Sequence, residues 1–261
     1  MLGKLLKHEF KATSRLLLPV FLILAVFTLM DRIVLSLDIF HGALAFIPGI
    51  ITFVFVLSII GVIVVSFIII VIRFYKNLVK DEGYLMFTLP TNPSQLITSK
   101  LIVATVWSIA SILACGLAIF IVATFKVNPD EIATGFHTFF RELFLQLDGD
   151  GVLLIIEFFV ILLLGLINNI LLVYVSIALG QLFNGHKLLG SIVSFISINI
   201  GLQILSSVLM AILGVIFKDA LETITIIPHM ILPGIIVITL LLNAAYYFVT
   251  NLIFRRKLNL E

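Results

Sequence analysis

Six runs of this sequence, at about 16–38, 44–72, 101–125, 152–180, 188–217 and 230–254, are long and apolar, with hardly a charged side chain between them. A helix of about 20 apolar residues spans the roughly 30 Å hydrocarbon core of a bilayer. Each run meets that length, and the second exceeds it enough to tilt or project beyond the membrane. Hydrophobic residues make up 62% of the chain and charged residues 11%, against about 25% charged in an ordinary soluble domain. No soluble core of this size hides so much apolar surface. In lipid, backbone polar groups are satisfied within helices or closed barrels. A barrel would show alternating segments of about ten residues, which these unbroken runs are not. The expected fold is therefore an all-α integral membrane protein with six transmembrane helices in a single domain over 1–261.

Lysine and arginine set the expected orientation. With the N-terminus inside, Lys4, Lys7, Lys11, Arg15, Arg73, Lys76, Lys80, Lys100, Lys187, Arg255, Arg256 and Lys257 are cytoplasmic, twelve of the 16. Arg32, Lys126, Arg141 and Lys218 fall outside. The excess inside predicts cytoplasmic termini. The outer loops are then acidic, with Asp31, Asp38, Asp130, Glu131, Glu142, Asp148, Asp150, Asp219 and Glu222. The first run is too long for a signal-peptide core and lacks a small-residue cleavage site, so it is expected to remain as an anchor. The fourth and fifth runs are joined by a short polar hairpin, Gln181 to Lys187. The basic residues sit beside spans rather than on a soluble patch, which argues against a nucleic-acid partner. Cys115 is the single cysteine; it excludes an intrachain disulfide and reads as a small packing residue.

Two segments are amphipathic. Over 1–15, Lys4, Lys7, His8, Lys11 and Arg15 lie toward one side and Leu2, Leu5, Leu6 and Phe10 toward the other. That pattern suits an interfacial helix facing anionic headgroups. Within the outer connection 126–150, Asn128 can cap a helix with Pro129 in its first position and Asp130 and Glu131 near its positive end. Ile132, Phe136, Phe139, Phe140, Leu143, Phe144 and Leu147 then recur at helical spacing. Such a helix either lies on the outer surface or packs over the bundle, and Asp148-Gly149-Asp150-Gly151 ends it.

The long cytoplasmic connection, 73–100, is the richest in chemistry. It carries Asp81 and Glu82, then Gly83, Tyr84, Leu85, Met86 and Phe87, too short a stretch to span. Pro90 and Pro93 force a turn, and Ser94 can cap the following helix. An aromatic and Met-containing patch suits docking into a groove on another protein. Equally, its apolar residues suit a connector packed beneath the bundle.

An amphipathic N-terminal helix, six spans, and a cytoplasmic loop with Glu82-Gly83, then Leu89-Pro90, then Ser99-Lys100 entering the third span together resemble the permease subunit of an ABC-2 type exporter. The resemblance covers most of the chain in layout and is specific in this loop. The size and loop wording are similar to bacterial exporters of amphipathic or antimicrobial peptides. The resemblance implies that residues 81–87 form a coupling helix docked on a separate ATPase, present in two copies and holding the ATP and Mg. It also implies a second six-helix half, either a second copy forming a homodimer or a paralogue, in a bacterial cell membrane. The chain has no Gly-x-x-x-x-Gly-Lys-Ser/Thr phosphate loop, so no cofactor is expected on this chain and no enzymatic activity of its own by that route.

Polar residues inside the spans are the candidates for the path. Glu157 reads as the one intramembrane acid, placed to meet a cationic group or a proton, or else to reach the interface or a neighbouring helix. Asn168 and Asn169, deeper in that span, suit bonds between helices. Asn199, Gln203, Ser206 and Ser207 share one face of the fifth span, lining a path between two halves or gluing helices together. Ala104, Ser108, Ser111, Cys115 and Ala118 form a small-residue packing face in the third span. Pro228 and Pro233 point to a broken or re-entrant start of the last span. The five histidines are scattered and form no His-Glu-x-x-His pair. His41, His137 and His229 fall among outer acids, where a surface metal site is conceivable, though solvated loop histidines are the commoner case. The apolar path favours an amphipathic, lipid-like or apolar substrate. A secondary transporter or channel working without ATP, or a membrane scaffold or immunity protein, remains an alternative; paired intramembrane charges or inverted repeats would mark the former.

Overall fold

The computed structural model describes residues 2–37, 46–78, 92–124, 127–146, 151–183, 185–216 and 231–256. These form seven helices: α1 Leu2–Ser36, α2 Phe46–Leu78, α3 Pro93–Ala123, α4 Pro129–Gln146, α5 Gly151–Gly180, α6 Lys187–Ile216 and α7 Leu232–Arg256. All but α4 are long and apolar enough to cross a membrane, and no strand occurs among the described residues. The protein is an all-α multi-pass membrane protein.

The two segments expected at the start of the chain, an interfacial helix over 1–15 and a span over 16–38, are one uninterrupted helix, α1, which continues through Pro19. Only that proline interrupts the donor series, and its ring removes a single backbone bond. At 1.5 Å per residue α1 is about 50 Å long, so it extends well past the hydrocarbon core. The cations of its first turns are exposed as expected. Its buried residues are Glu9, Thr13, Leu17, Leu24, Thr28 and Asp31, a seam at three- and four-residue spacing.

Contacts divide the chain into two compact units, residues 1–72 with 102–147, and residues 73–101 with 148–261. The boundary falls inside α2 and α3. In the first unit, Leu24 of α1, Phe55 and Val62 of α2, and Cys115 and Ala118 of α3 form a buried cluster. Ala104, Ser111, Cys115 and Ala118 are buried, with Ser108 half-buried; the Ser111 hydroxyl donates to Ser66 of α2 at 3.0 Å. The small-residue face is a packing face. Trp107 lies beside Phe21 and Phe10, with ring centroids 6.0 and 6.5 Å away.

Helix α4 starts as its sequence predicts, with Pro129 first and the Asn128 carbonyl accepting from the Glu131 and Ile132 amides. The Asn128 amide group donates to the Glu131 carboxylate at 3.2 Å rather than capping a backbone N–H. Phe136, Phe139, Phe140 and Phe144 are exposed. Their apolar face is left uncovered within the first unit, where Phe136 meets Phe120 at 6.5 Å.

In the second unit, α5 packs against both α6 and α7. The α5–α6 hairpin is tight. Backbone bonds from Gln181 to Ala178 and from Phe183 to Gly180 close the end of α5, and Gly185 takes a φ of 90°, a left-handed conformation that glycine adopts without penalty. A Cβ on Gly180 would stand 2.6 Å from the Ser191 amide nitrogen and 2.7 Å from its Cα, so only glycine lets α6 approach here. The last helix begins at Leu232, with Pro233 in its first turn, where a missing N–H costs nothing. Pro228 lies outside the described residues.

Candidate functional site

The candidate docking residues, Asp81, Glu82, Gly83, Tyr84, Leu85, Met86 and Phe87, lie outside the described residues, as do Leu89 and Pro90. The structure defines how the chain on either side of them is held. Phe74, on the last turns of α2, is 1% exposed. Its ring stacks on Tyr174 of α5 with centroids 3.6 Å apart and meets Phe254 of α7 edge-on at 6.0 Å. On the other side, α3 starts at Pro93, two turns before the span expected from residue 101. Asn92 occupies the capping position, its carbonyl accepting from the Gln95 amide at 2.9 Å. Ser94, expected as the cap, lies inside the first turn instead, because proline at the first helical position sets the start one residue earlier. Leu96 and Ile97 are buried. The Tyr247 hydroxyl of α7 donates to the Ser94 carbonyl at 3.3 Å and pairs with the Thr98 hydroxyl at 2.9 Å. Ser99 and Lys100 are buried as well. Both roots of the loop therefore belong to the same compact unit as α5 and α7 and are fastened to them by aromatic rings and hydroxyls.

The four candidate path residues do not form one constellation. Asn199, Gln203 and Ser206 of α6 are exposed, as is Ser207. The Asn199 amide donates to the Phe195 carbonyl, and the Ser206 and Ser207 hydroxyls donate to the Gln203 carbonyl, all within α6. No residue in the membrane-crossing window of α6 is buried. This stripe makes no bond to another described helix, so within the single chain it is not interhelical glue. Glu157 of α5 is half-buried, and its Oε2 is buried with no hydrogen-bond partner among the described residues. The hairpin register set by Gly180 and Ser191 puts Glu157 level with about Gly214, roughly 16 Å along α6 from Gln203.

Asn168 and Asn169 part company. The Asn168 amide donates to the Asn243 Oδ1 of α7 at 3.0 Å, and the Asn243 amide donates back to the Leu164 carbonyl at 3.1 Å. Asn169 is exposed and bonds only to Gly165 of its own helix. The first is the interhelical bond expected of it, and Asn243 is the partner that sequence reasoning missed.

The acid most deeply placed is not Glu157. Asp31, expected in an outer loop, lies inside α1 with no exposed surface. The Thr52 hydroxyl of α2 donates to its Oδ1 at 2.8 Å, and its Oδ2 is buried without a partner among the described residues. Neighbouring Arg32 is exposed and directs its guanidinium to the Ile121 carbonyl at 3.4 Å. Glu9 is buried on the same seam of α1. The signal was available: Leu17, Leu24, Thr28 and Asp31 keep the spacing of a single helix face. The described histidines His8, His137 and His186 are exposed, and no group of three metal-ligating side chains occurs among the described residues. Compared with protein-family models, with curated proteins and with solved structures, the chain matches none.

Proposed function

We propose that this chain is the membrane permease subunit of an ATP-driven, ABC-type exporter that moves an amphipathic, lipid-like or apolar substrate, with ATP hydrolysed on a separate soluble partner. Two copies of the chain would enclose the path and two ATPase subunits would close beneath them. The termini and the 79–91 connection would face the cytoplasm, in keeping with the lysine and arginine distribution, and the membrane would be a bacterial cell membrane. The observation that carries the reading is the anchoring of the loop's two roots. Phe74 is clamped between Tyr174 and Phe254, and Ser94 and Thr98 are tied to Tyr247. A partner that displaced residues 81–87 would act directly on α5 and α7, which is what a coupling element requires. Coupling further needs the partner to bind the two conformations of the bundle with different affinity.

The exposed polar stripe of α6 supports the second half of the proposal. Amide and hydroxyl groups facing hydrocarbon are costly, so Asn199, Gln203 and Ser206 favour a face turned toward water or toward a second subunit. The test is co-purification. The tagged chain, co-expressed with candidate ATPases and extracted gently, should retain a phosphate-loop ATPase at one copy per chain. Purification alone under those conditions would count against the exporter. A second reading, a transporter that works without ATP, gains support from one observation: the buried carboxylate of Asp31. Substrate flux that persists in liposomes without ATP would favour it.

A further inference from the structure

Asp31 is the one described carboxylate with no exposed surface at all, and the exporter reading gives it no role. It sits on the buried seam of α1, one turn after Thr28, whose hydroxyl is spent on the Leu24 carbonyl at 2.7 Å. Thr52 supplies a single hydrogen bond to Oδ1, and Oδ2 is left buried without a described partner. A carboxylate so placed carries a heavy desolvation cost unless a positive charge balances it.

The described elements of its unit offer little to do so. Helix α2 from Phe46 to Ile72 and helix α3 from Ile102 to Ala123 carry no charged residue. Helix α4 carries Asp130, Glu131, His137, Arg141 and Glu142, all exposed. On α1 itself the nearest cation is Arg32, which is exposed and bonded to the Ile121 carbonyl. The group held against the carboxylate is a neutral one, the Thr52 hydroxyl on Oδ1, which keeps lone pairs to spare once its proton is donated. Intramembrane carboxylates in such settings mark ion and proton sites.

We infer that Asp31, held by Thr52, binds a small monovalent cation, either a proton or Na+, inside the α1–α2 contact. The site stands whether or not an ATPase partner exists, and its test involves none. Unfolding midpoints of the purified full-length chain in lipid nanodiscs are compared in NaCl and in choline chloride of equal ionic strength. Carboxyl bands are read by infrared difference spectroscopy of the wild type against Asp31→Asn. A sodium site raises the midpoint in NaCl, and Asp31→Asn abolishes the rise. Thr52→Val, which removes one hydroxyl and keeps the carboxylate, weakens the apparent Na+ affinity about tenfold. A proton site gives no sodium effect and a protonated-carboxyl stretch that Asp31→Asn removes and Thr52→Val shifts. Asparagine matches aspartate in size and keeps an acceptor for Thr52; should that variant fail to fold, Thr52→Val alone attributes the signal to this carboxyl. An ionised Asp31 without any sodium effect overturns the inference, as does a cation signal that survives Asp31→Asn or is indifferent to Thr52→Val.

Discussion

Buried amides and hydroxyls, rather than apolar surface, decide which helices of this protein meet in a particular way. Lipid tails are as apolar as leucine, so helix association there relies on close packing and on hydrogen bonds between helices. Asn243 is 7% exposed and joins α7 to α5 twice, accepting from Asn168 and donating to the Leu164 carbonyl. Asn243→Ala removes both bonds and should cost about 1 kcal/mol, within the range measured for interhelical bonds in membranes. Asn169→Ala, whose side chain bonds only within α5, should cost close to nothing. Unfolding midpoints of the two variants in the same detergent check the contrast; equal losses would show that the Asn243 bonds are not what matters. The aspartate at 31 and the asparagine at 243 were both plain in the sequence. Their roles were not, because a polar residue inside an apolar run looks the same whether it faces lipid headgroups, water or another helix.

At the scale of elements, the α5–α6 hairpin and the loop roots are the two places where a single residue controls how helices are joined. Gly180→Ala forces a methyl against the Ser191 backbone, and overpacking of this kind costs about 1–3 kcal/mol. Because the obstructing atoms include backbone nitrogen and Cα, Ser191→Ala should not restore the midpoint. Full rescue by that change would mean that the hydroxyl alone was in the way. At the loop roots, Phe74→Ala deletes a ring packed between Tyr174 and Phe254 and should cost about 3 kcal/mol, the usual penalty for a buried aromatic. If residues 79–91 transmit force, this variant should still capture the ATPase but hydrolyse ATP without exporting substrate. Loss of capture instead would place Phe74's role in folding the loop.

For the whole molecule, the proposed exporter makes a separable demand on the loop. Glu82→Arg combined with Phe87→Ala should abolish ATPase capture while leaving the chain folded in detergent, read by co-purification beside the unfolding midpoint. Unchanged capture would remove the loop from the docking surface. The division of the chain into two units breaks α2 after Ile72 and α3 before Ile102, close to where the two apolar runs end beside Arg73 and Lys100.

The sequence by itself determined the membrane, the helical class, the number of spans and the hairpin at 181–187. Hydrocarbon length and backbone hydrogen bonding leave few solutions for six long apolar runs, and Asn128-Pro129 announces a helix start through the fixed φ of proline. Tertiary structure alone decided that the N-terminal segment and first span are one helix, and that Asp31 rather than Glu157 is the most deeply buried acid among the described residues. It also decided that the α6 stripe is left uncovered within its unit. Each of these depends on which face of a helix meets a neighbour. In a span that is apolar all round, hydropathy is nearly uniform around the axis, so the sequence carries little record of that choice.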